Sequence, residues 1–203
     1  PDLIVGEKTA AGMGKVRIYP NMGIVARPQF DSFFYAPSES SDLECEASGC
    51  MGCFPRAVYW DDDDLPDLLV GLAAGDVRIY RNVGSASEPT WDGGRPVEYG
   101  PAENRRTVNP GPRPTPSMAD WNGDGVDDLI TGAMSGCVEV FINQAGDGEP
   151  ELAPPVRAAL QTGDSLDIGY RSSPVFFDLD GDGLGDLIVG DTPGRLSWFR
   201  NVG

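Results

Sequence analysis

The chain has 203 residues, with 32 Asp and Glu against 15 Lys and Arg, no histidine, and a formal net charge of −17. That balance speaks against nucleic acid and against an anionic membrane surface, both of which are held by Lys and Arg. The absence of histidine removes the Ser-His-Asp triad, the Cys-His pair and histidine-ligated hydrolytic metals, and no apolar run reaches the roughly 18 residues of a membrane span.

In chain order, the first element is the apolar stretch Leu3-Ile4-Val5, which closes on Gly6. An alternating stretch from Gly14 to Tyr19 follows and ends at Asn21. The same pair returns three times: Leu68–Gly71 with Gly75–Asn82, Leu129–Gly132 with Gly136–Asn143, and Leu187–Gly190 with Gly194–Asn201. The closing asparagines lie 61, 61 and 58 positions apart, which marks an internal repeat. The first stretch is apolar at every position and predicts a strand buried on both faces. The second alternates with period two and predicts a half-buried antiparallel strand. A third strand is expected at Pro55–Trp60, Pro116–Trp121 and Pro174–Phe177. A fourth, weaker one is expected near Arg27–Phe30, Glu88–Trp91 and Glu149–Leu152. No stretch has helical spacing and caps for more than one or two turns. Four short strands per unit of roughly 60 residues predict an all-β chain of β-propeller blades. Residues 1–203 form one propeller region of about three and a half repeats, with units at approximately 1–54, 55–115, 116–173 and 174–203 and a cysteine-containing insertion at 36–54.

Two segments before these strands share the pattern D-x-[DN]-x-D-G-x-x-D. One runs from Asp120 to Asp128 and the other from Asp178 to Asp186. Oxygen donors at positions 1, 3, 5 and 9, with a backbone carbonyl at position 7, suit a hard cation such as Ca²⁺. The predicted ligands are Asp120, Asn122, Asp124, Val126 and Asp128 in one loop, and Asp178, Asp180, Asp182, Leu184 and Asp186 in the other. A third loop, 59–67, predicts a weaker site. Asp61, Asp63, Leu65 and Asp67 keep their places, but Tyr59 stands at position 1, and Asp64 replaces the glycine at position 6, where a positive φ is needed. Asp2 is the position-9 remnant of a fourth loop. Such ions are expected to be structural, because a catalytic metal needs an open coordination position and a nearby base. Mg²⁺ suits the loops less well, since it demands a tight octahedron.

The loops and the strands that follow them resemble the integrin-α-type propeller family of FG-GAP or VCBS repeats, over nearly the whole chain outside the insertions. The resemblance implies a Ca²⁺ loop between the first two strands of a blade. It also implies service in adhesion, ligand recognition or carbohydrate binding rather than catalysis.

Pro1 falls inside a repeat and the terminal units duplicate their middle strands. A portion of a longer protein is therefore expected, or a chain that docks beside another copy or another subunit. Cys45, Cys50 and Cys53 cluster in the insertion, and Cys137 lies a unit away. The C-x₄-C-x₂-C spacing also occurs in plant-type [2Fe–2S] proteins, with Cys137 as nominal fourth ligand. A disulfide stapling the loop, Cys45 with Cys53 or with Cys50, is the expectation. It implies an oxidising compartment, extracellular or secreted. The functional expectation is a non-enzyme: a calcium-stabilised recognition or adhesion module that binds a protein or a glycan through the inter-blade segments Gly23–Phe54, Gly84–Thr115 and Gln144–Ser173. Tyr35, Trp91 and Tyr99 are candidates for stacking on a sugar. The alternative is an architectural subunit among neighbouring subunits of a larger assembly. A lectin-like carbohydrate-active protein is a lesser possibility.

Overall fold

A computed structural model describes residues 2–39, 41–47, 52–146 and 148–203. The chain is all-β, with four antiparallel sheets arranged as a four-blade propeller. Blade 1 holds β1 (Leu3–Lys8), β2 (Gly14–Tyr19), β3 (Phe34–Tyr35) and β4 (Glu44–Cys45). Blade 2 holds β5 (Phe54–Val58), β6 (Asp67–Gly71), β7 (Val77–Tyr80) and β8 (Arg95–Pro96). A ribbon of β9 (Glu98–Tyr99) and β10 (Arg106–Thr107) follows, around a 3₁₀ turn at Ala102–Asn104. Blade 3 holds β11 (Thr115–Ala119), β12 (Asp128–Gly132), β13 (Val138–Phe141) and β14 (Val156–Arg157). Blade 4 holds β15 (Ser173–Phe177), β16 (Asp186–Gly190) and β17 (Leu196–Phe199). Strands β5, β11 and β15 touch in succession, which puts them on the inner side of the arc.

Both-face burial of the second strand follows from how neighbouring residues divide their work. Leu68 and Val70 of β6 face the core against blade 1, while Leu69 between them faces the core against blade 3. In β12, Leu129 points back to blade 2 and Ile130 points forward to blade 4. Three apolar clusters thus join four blades, each strand feeding two of them by simple alternation. At the two flanks the same positions lack a neighbour. Leu196 is 80% and Trp198 51% exposed, whereas their equivalents Val77, Ile79, Val138 and Val140 are fully buried. Leu3 and Val5 on the opposite flank are exposed in the same way.

The glycine that closes each apolar strand has a steric cause. A Cβ on Gly6, Gly71 or Gly132 would lie 2.0, 2.0 or 2.4 Å from the carbonyl oxygen of Cys53, Pro114 or Ser172, the residue that leads into the next blade. Gly190, on the open flank, would meet only Leu196 at 3.6 Å. The blades approach backbone to backbone, and only glycine permits it.

The expected fourth strands are displaced. Trp91 and Leu152 make single bridges to Asn82 and Asn143, and pairing resumes only at β8 and β14. The cause is the repeated asparagine. Asn82 Oδ1 accepts the amides of Gly84 and Thr90, Asn143 Oδ1 those of Ala145 and Glu151, and Asn21 Oδ1 those of Gly23 and Gln29. Each asparagine holds the chain in a turn before the outer strand can begin.

The outer strand is itself interrupted, three times in the same way. In blade 1 the Ala36 amide donates to Val16 O and the Leu43 amide to Ala36 O. In blade 2 Val97 bonds Val77 and Val108 bonds Val97. In blade 3 Ala158 bonds Val138 and Leu166 bonds Ala158. All six of these residues are buried. Between them the chain leaves the blade as a hairpin, over 98–107 and 159–165, and in blade 1 Pro37 bridges Asp42 at the same place. The inter-blade segments are therefore partly strand and partly core, and β4, inside the cysteine insertion, pairs with β2. Blade 1 is three strands across, as expected, with its outer position filled in turn by β3 and β4.

Gly71→Ala and Gly132→Ala are expected to lower stability by about 1–3 kcal/mol, as overpacking against backbone does, while Gly190→Ala stays within about 0.5 kcal/mol. Urea unfolding of the three variants checks this; equal losses at all three positions would refute the close-approach explanation.

Candidate functional site

The acidic loops sit between the first and second strands of a blade: 59–67 between β5 and β6, 120–128 between β11 and β12, and 178–186 between β15 and β16. In the loop that starts at Asp120, that residue's Oδ1 accepts the amides of Gly123 and Asp124, at 2.7 and 3.1 Å, and its Oδ2 accepts Gly125 at 2.9 Å. Asp178 does the same for Gly181, Asp182 and Gly183. The carboxylate at position 1 thus gathers the loop's amides about itself. Gly125 and Gly183 at position 6 adopt φ of 90° and 88°. In the third loop Asp64 is forced to φ 60°, as its place in the pattern requires, and Tyr59 offers no carboxylate for the amides to gather on. At position 5, Asp63, Asp124 and Asp182 accept the amides of Leu65, Val126 and Leu184, at 2.8, 2.9 and 2.9 Å.

Position 9 has a second role that spacing alone did not reveal. Asp67, Asp128 and Asp186 are fully buried. One oxygen accepts the amide of loop position 2, from Trp60, Trp121 or Leu179, at 3.1, 3.1 and 3.4 Å. The other accepts the amide of the repeated asparagine, Asn82, Asn143 or Asn201, at 2.7, 2.7 and 2.8 Å. Asp2 makes the corresponding bond to the Asn21 amide at 2.9 Å. Burial pushes the Asp67 and Asp128 carboxyls above the usual range, against the pull of the donated amides. Asp186 lies below the usual range, held down first by the Asn201 amide and also by the Trp198 indole. It belongs to the blade with no neighbour on its far side, which lightens its desolvation.

The carboxylates at the centre of the loops differ in what faces them. Asp178, Asp180 and Asp182 bring oxygens within 4.8 Å of one another, an all-oxygen donor set of the kind a hard cation takes. Arg200 reaches the same group, with Nε 2.6 Å from Asp180 and Nη2 3.1 Å from Asp182. In the 59–67 loop Arg81 pairs with Asp61 and also with Glu149. In the 120–128 loop position 3 is Asn122, whose amide donates to Asp124 Oδ2 at 2.8 Å, and the residue equivalent to Arg81 and Arg200 is Ile142. The arginines escaped the sequence reading, although a signal was present: arginine precedes the repeated asparagine in the two units whose position 3 is Asp, and isoleucine precedes it where position 3 is Asn.

The other candidates separate. Trp91 is buried in the core between blades 1 and 2. Tyr99 packs on Phe141, with centroids 5.3 Å apart, and Tyr35 on Phe33 at 5.5 Å. Trp91 and Tyr99 are therefore packing residues in the cores between blades. Cys137 belongs to blade 3 and stands apart from the core that holds Cys45 and Cys53, so no four-cysteine cluster forms around it. Cys50 lies outside the described residues.

Repeating antiparallel sheets, with an acidic turn between the first two strands of blades 2, 3 and 4, define a propeller with loop-braced blades. Residues 120–189 match the model of the FG-GAP-like repeat, from position 1 of the loop before β12 through most of β16. That match and the arrangement of the sheets support an FG-GAP-repeat propeller. No curated protein matches the chain. Among the described residues no helix is long and apolar enough to cross a membrane.

Asp128→Ala leaves two amides without acceptors and is expected to cost about 2–6 kcal/mol, at about 1–3 kcal/mol for each unsatisfied group. The loss should persist in excess chelator, because the brace is made of protein atoms alone. Thermal melts with and without EDTA check it: a loss that vanishes in EDTA would mean that position 9 acts only through a bound ion.

Proposed function

We propose that the chain is a calcium-stabilised recognition module that binds a protein, or else a glycan, through the hairpins inserted into its outer strands. The observation that carries this is the threefold recurrence of one design. Each hairpin is anchored by a buried pair, Ala36 with Leu43, Val97 with Val108, or Ala158 with Leu166. Beyond the pair, the three segments differ in length and sequence, and residues 101–107 and 159–165 at the tips of the second and third are exposed. A rigid base with variable exposed loops is how scaffolds present binding residues, and an FG-GAP propeller suggests a protein-interaction module. FG-GAP propellers generally serve recognition and structure, and this reading takes the chain to do the same.

Calcium would be held by Asp120, Asn122 and Asp124, and by Asp178, Asp180 and Asp182, with the carbonyls of Val126 and Leu184 and the second lone pairs of Asp128 and Asp186. Asp61, Asp63, Leu65 and Asp67 would form a weaker site, since Arg81 already meets Asp61 and Tyr59 supplies no ligand. The ion would offset carboxylate repulsion and fix the loop, a structural role. The clustered cysteines favour an extracellular or otherwise oxidising compartment.

Tyr99 lies directly opposite Arg106 in the β9–β10 ribbon, so residues 100–105 can be replaced by Asn-Gly, the two-residue turn that suits a hairpin. The shortened variant is expected to keep its melting temperature and its calcium-dependent stabilisation but to lose binding to the partner. Partner binding is scored by protein and glycan arrays probed with both forms in calcium and in EDTA. Unchanged binding by the shortened form removes the hairpin from the site, and a melting temperature indifferent to EDTA removes calcium.

One observation favours the second reading, an architectural subunit. The apolar flank of blade 4, formed by Val175, Phe177, Leu196 and Trp198, is of the size and kind that neighbouring blades bury elsewhere in the chain. Light scattering of the purified chain is expected to give a self-associated mass under this reading, reduced by Trp198→Glu. A monomer at all concentrations would count against it.

A further inference from the structure

We propose that Cys45 and Cys53 form an oxidisable dithiol that a hydroperoxide converts to a disulfide, clamping blade 1 to blade 2. Cys45 lies in β4 and pairs with Gly14 of β2, while Cys53 immediately precedes β5, the inner strand of the next blade. Both are buried in the apolar core that joins these two blades. Gly14 lies beneath the pair: a Cβ there would meet Cys45 Sγ at 3.1 Å and the Cys53 amide nitrogen at 3.5 Å. The two thiols share this core closely enough that each shifts the other's protonation. The Cys53 sulfur also lies 3.5 Å from the Lys15 carbonyl, to which its thiol donates. The third described cysteine, Cys137, is buried in blade 3 and has no such neighbour among the described residues.

The two sulfurs are not equivalent. The neighbouring Cys45 lowers the Cys53 thiol below its ordinary range, against the effect of burial. The same pairing, followed by burial, raises Cys45. Cys53 is also one of the residues lining a cleft of about 480 Å³ between β1 and β5, together with Gly6, Glu7, Lys8 and Pro55. A molecule as small as hydrogen peroxide can enter there. The Cys53 thiolate attacks one peroxide oxygen, the O–O bond breaks, and hydroxide leaves to be protonated by solvent, which gives a sulfenic acid at Cys53. Cys45 sulfur then attacks Cys53 sulfur. The S–O bond breaks, and the leaving hydroxide takes the Cys45 proton as water. Two thiols and one peroxide become one disulfide and two waters, the sulfurs losing the two electrons that the peroxide gains.

The bond would tie the outermost strand of one blade to the innermost strand of the next, a seam otherwise held by apolar packing and the close approach at Gly6. The proposal stands apart from the recognition reading, because its test needs no partner. Purified chain, reduced and then freed of reductant, is treated with stoichiometric hydrogen peroxide, alkylated under denaturing conditions and mapped by mass spectrometry. The expected result is a Cys45–Cys53 cross-linked peptide with a mass loss of about 2 Da. Cys137 remains alkylated, the melting temperature rises by several degrees, and dithiothreitol reverses the change. Cys50→Ser is expected to leave the cross-link intact, and Cys45→Ser to yield oxidised Cys53 with no cross-link and no gain in melting temperature. A Cys45–Cys50 cross-link in the wild-type chain would overturn the proposal, as would Cys45 and Cys53 both remaining alkylatable after peroxide. Both outcomes are read on wild-type protein, so they do not depend on how well a variant folds.

Discussion

A buried carboxylate with two donated amides is the joint on which each blade turns. Asp67, Asp128 and Asp186 each begin a fully or mostly buried strand, and each ties the entrance of that strand to the exit of the next one, fifteen residues later in sequence. Removing a charge from water is costly unless it is hydrogen-bonded. Two backbone donors supply that compensation while meeting the needs of two strand ends that would otherwise be unpaired. The joint extends outward. The asparagine whose amide is held by the aspartate uses its own side-chain oxygen to hold the next turn, so one carboxylate sets the path of the chain through the loop, the central strands and the approach to the outer edge.

This relay explains what could be read in the sequence and what could not. The central strands were legible because their burial is written at every position: Leu68, Leu69 and Val70 serve two cores by alternation, so none can be polar. The loops were legible because carboxylates at fixed intervals before such a strand have few other uses. The outer strands were not. Each has only two paired residues before the hairpin breaks it, and periodicity needs a longer run to show. Their anchors, Ala36, Val97 and Ala158, are single small or medium apolar residues in polar surroundings, and what identifies them is a bond to a strand about twenty residues earlier. Trp91 misled for a related reason. An aromatic beside proline looked like the start of the strand, yet the asparagine turn places it across the seam, in the core of the adjoining blades.

The three acidic loops form a natural series in how negative charge is managed. In the 178–186 loop three carboxylates converge and Arg200 faces two of them. In the 59–67 loop the carboxylate at position 1 is gone and Arg81 takes Asp61. In the 120–128 loop the charge is lowered instead by Asn122, and the arginine gives way to Ile142, which packs on the core between blades 3 and 4. Unit charges about 4 Å apart interact by about 4 kcal/mol near a protein surface, so a loop with three carboxylates must obtain a positive partner from somewhere. The exchange of Asp with Arg for Asn with Ile keeps that local balance within one chain.

The same economy reaches the seams between blades. Every seam combines a backbone crossing at glycine with an apolar cluster, and the crossing is so close at Gly6, Gly71 and Gly132 that the blades cannot slide without breaking it. The rigidity of the seams is what frees the hairpins. Because Ala36 with Leu43, Val97 with Val108 and Ala158 with Leu166 are buried at the base, and Tyr99 packs on the core beyond its own pair, the exposed stretches 101–107 and 159–165 can differ in length and charge without moving a strand. The blade 1–blade 2 seam adds to this a pair of thiols buried in one core, placed where the outer strand of one sheet hands the chain to the inner strand of the next. Of the three seams it is the one where a covalent bond could lock a joint that packing already defines.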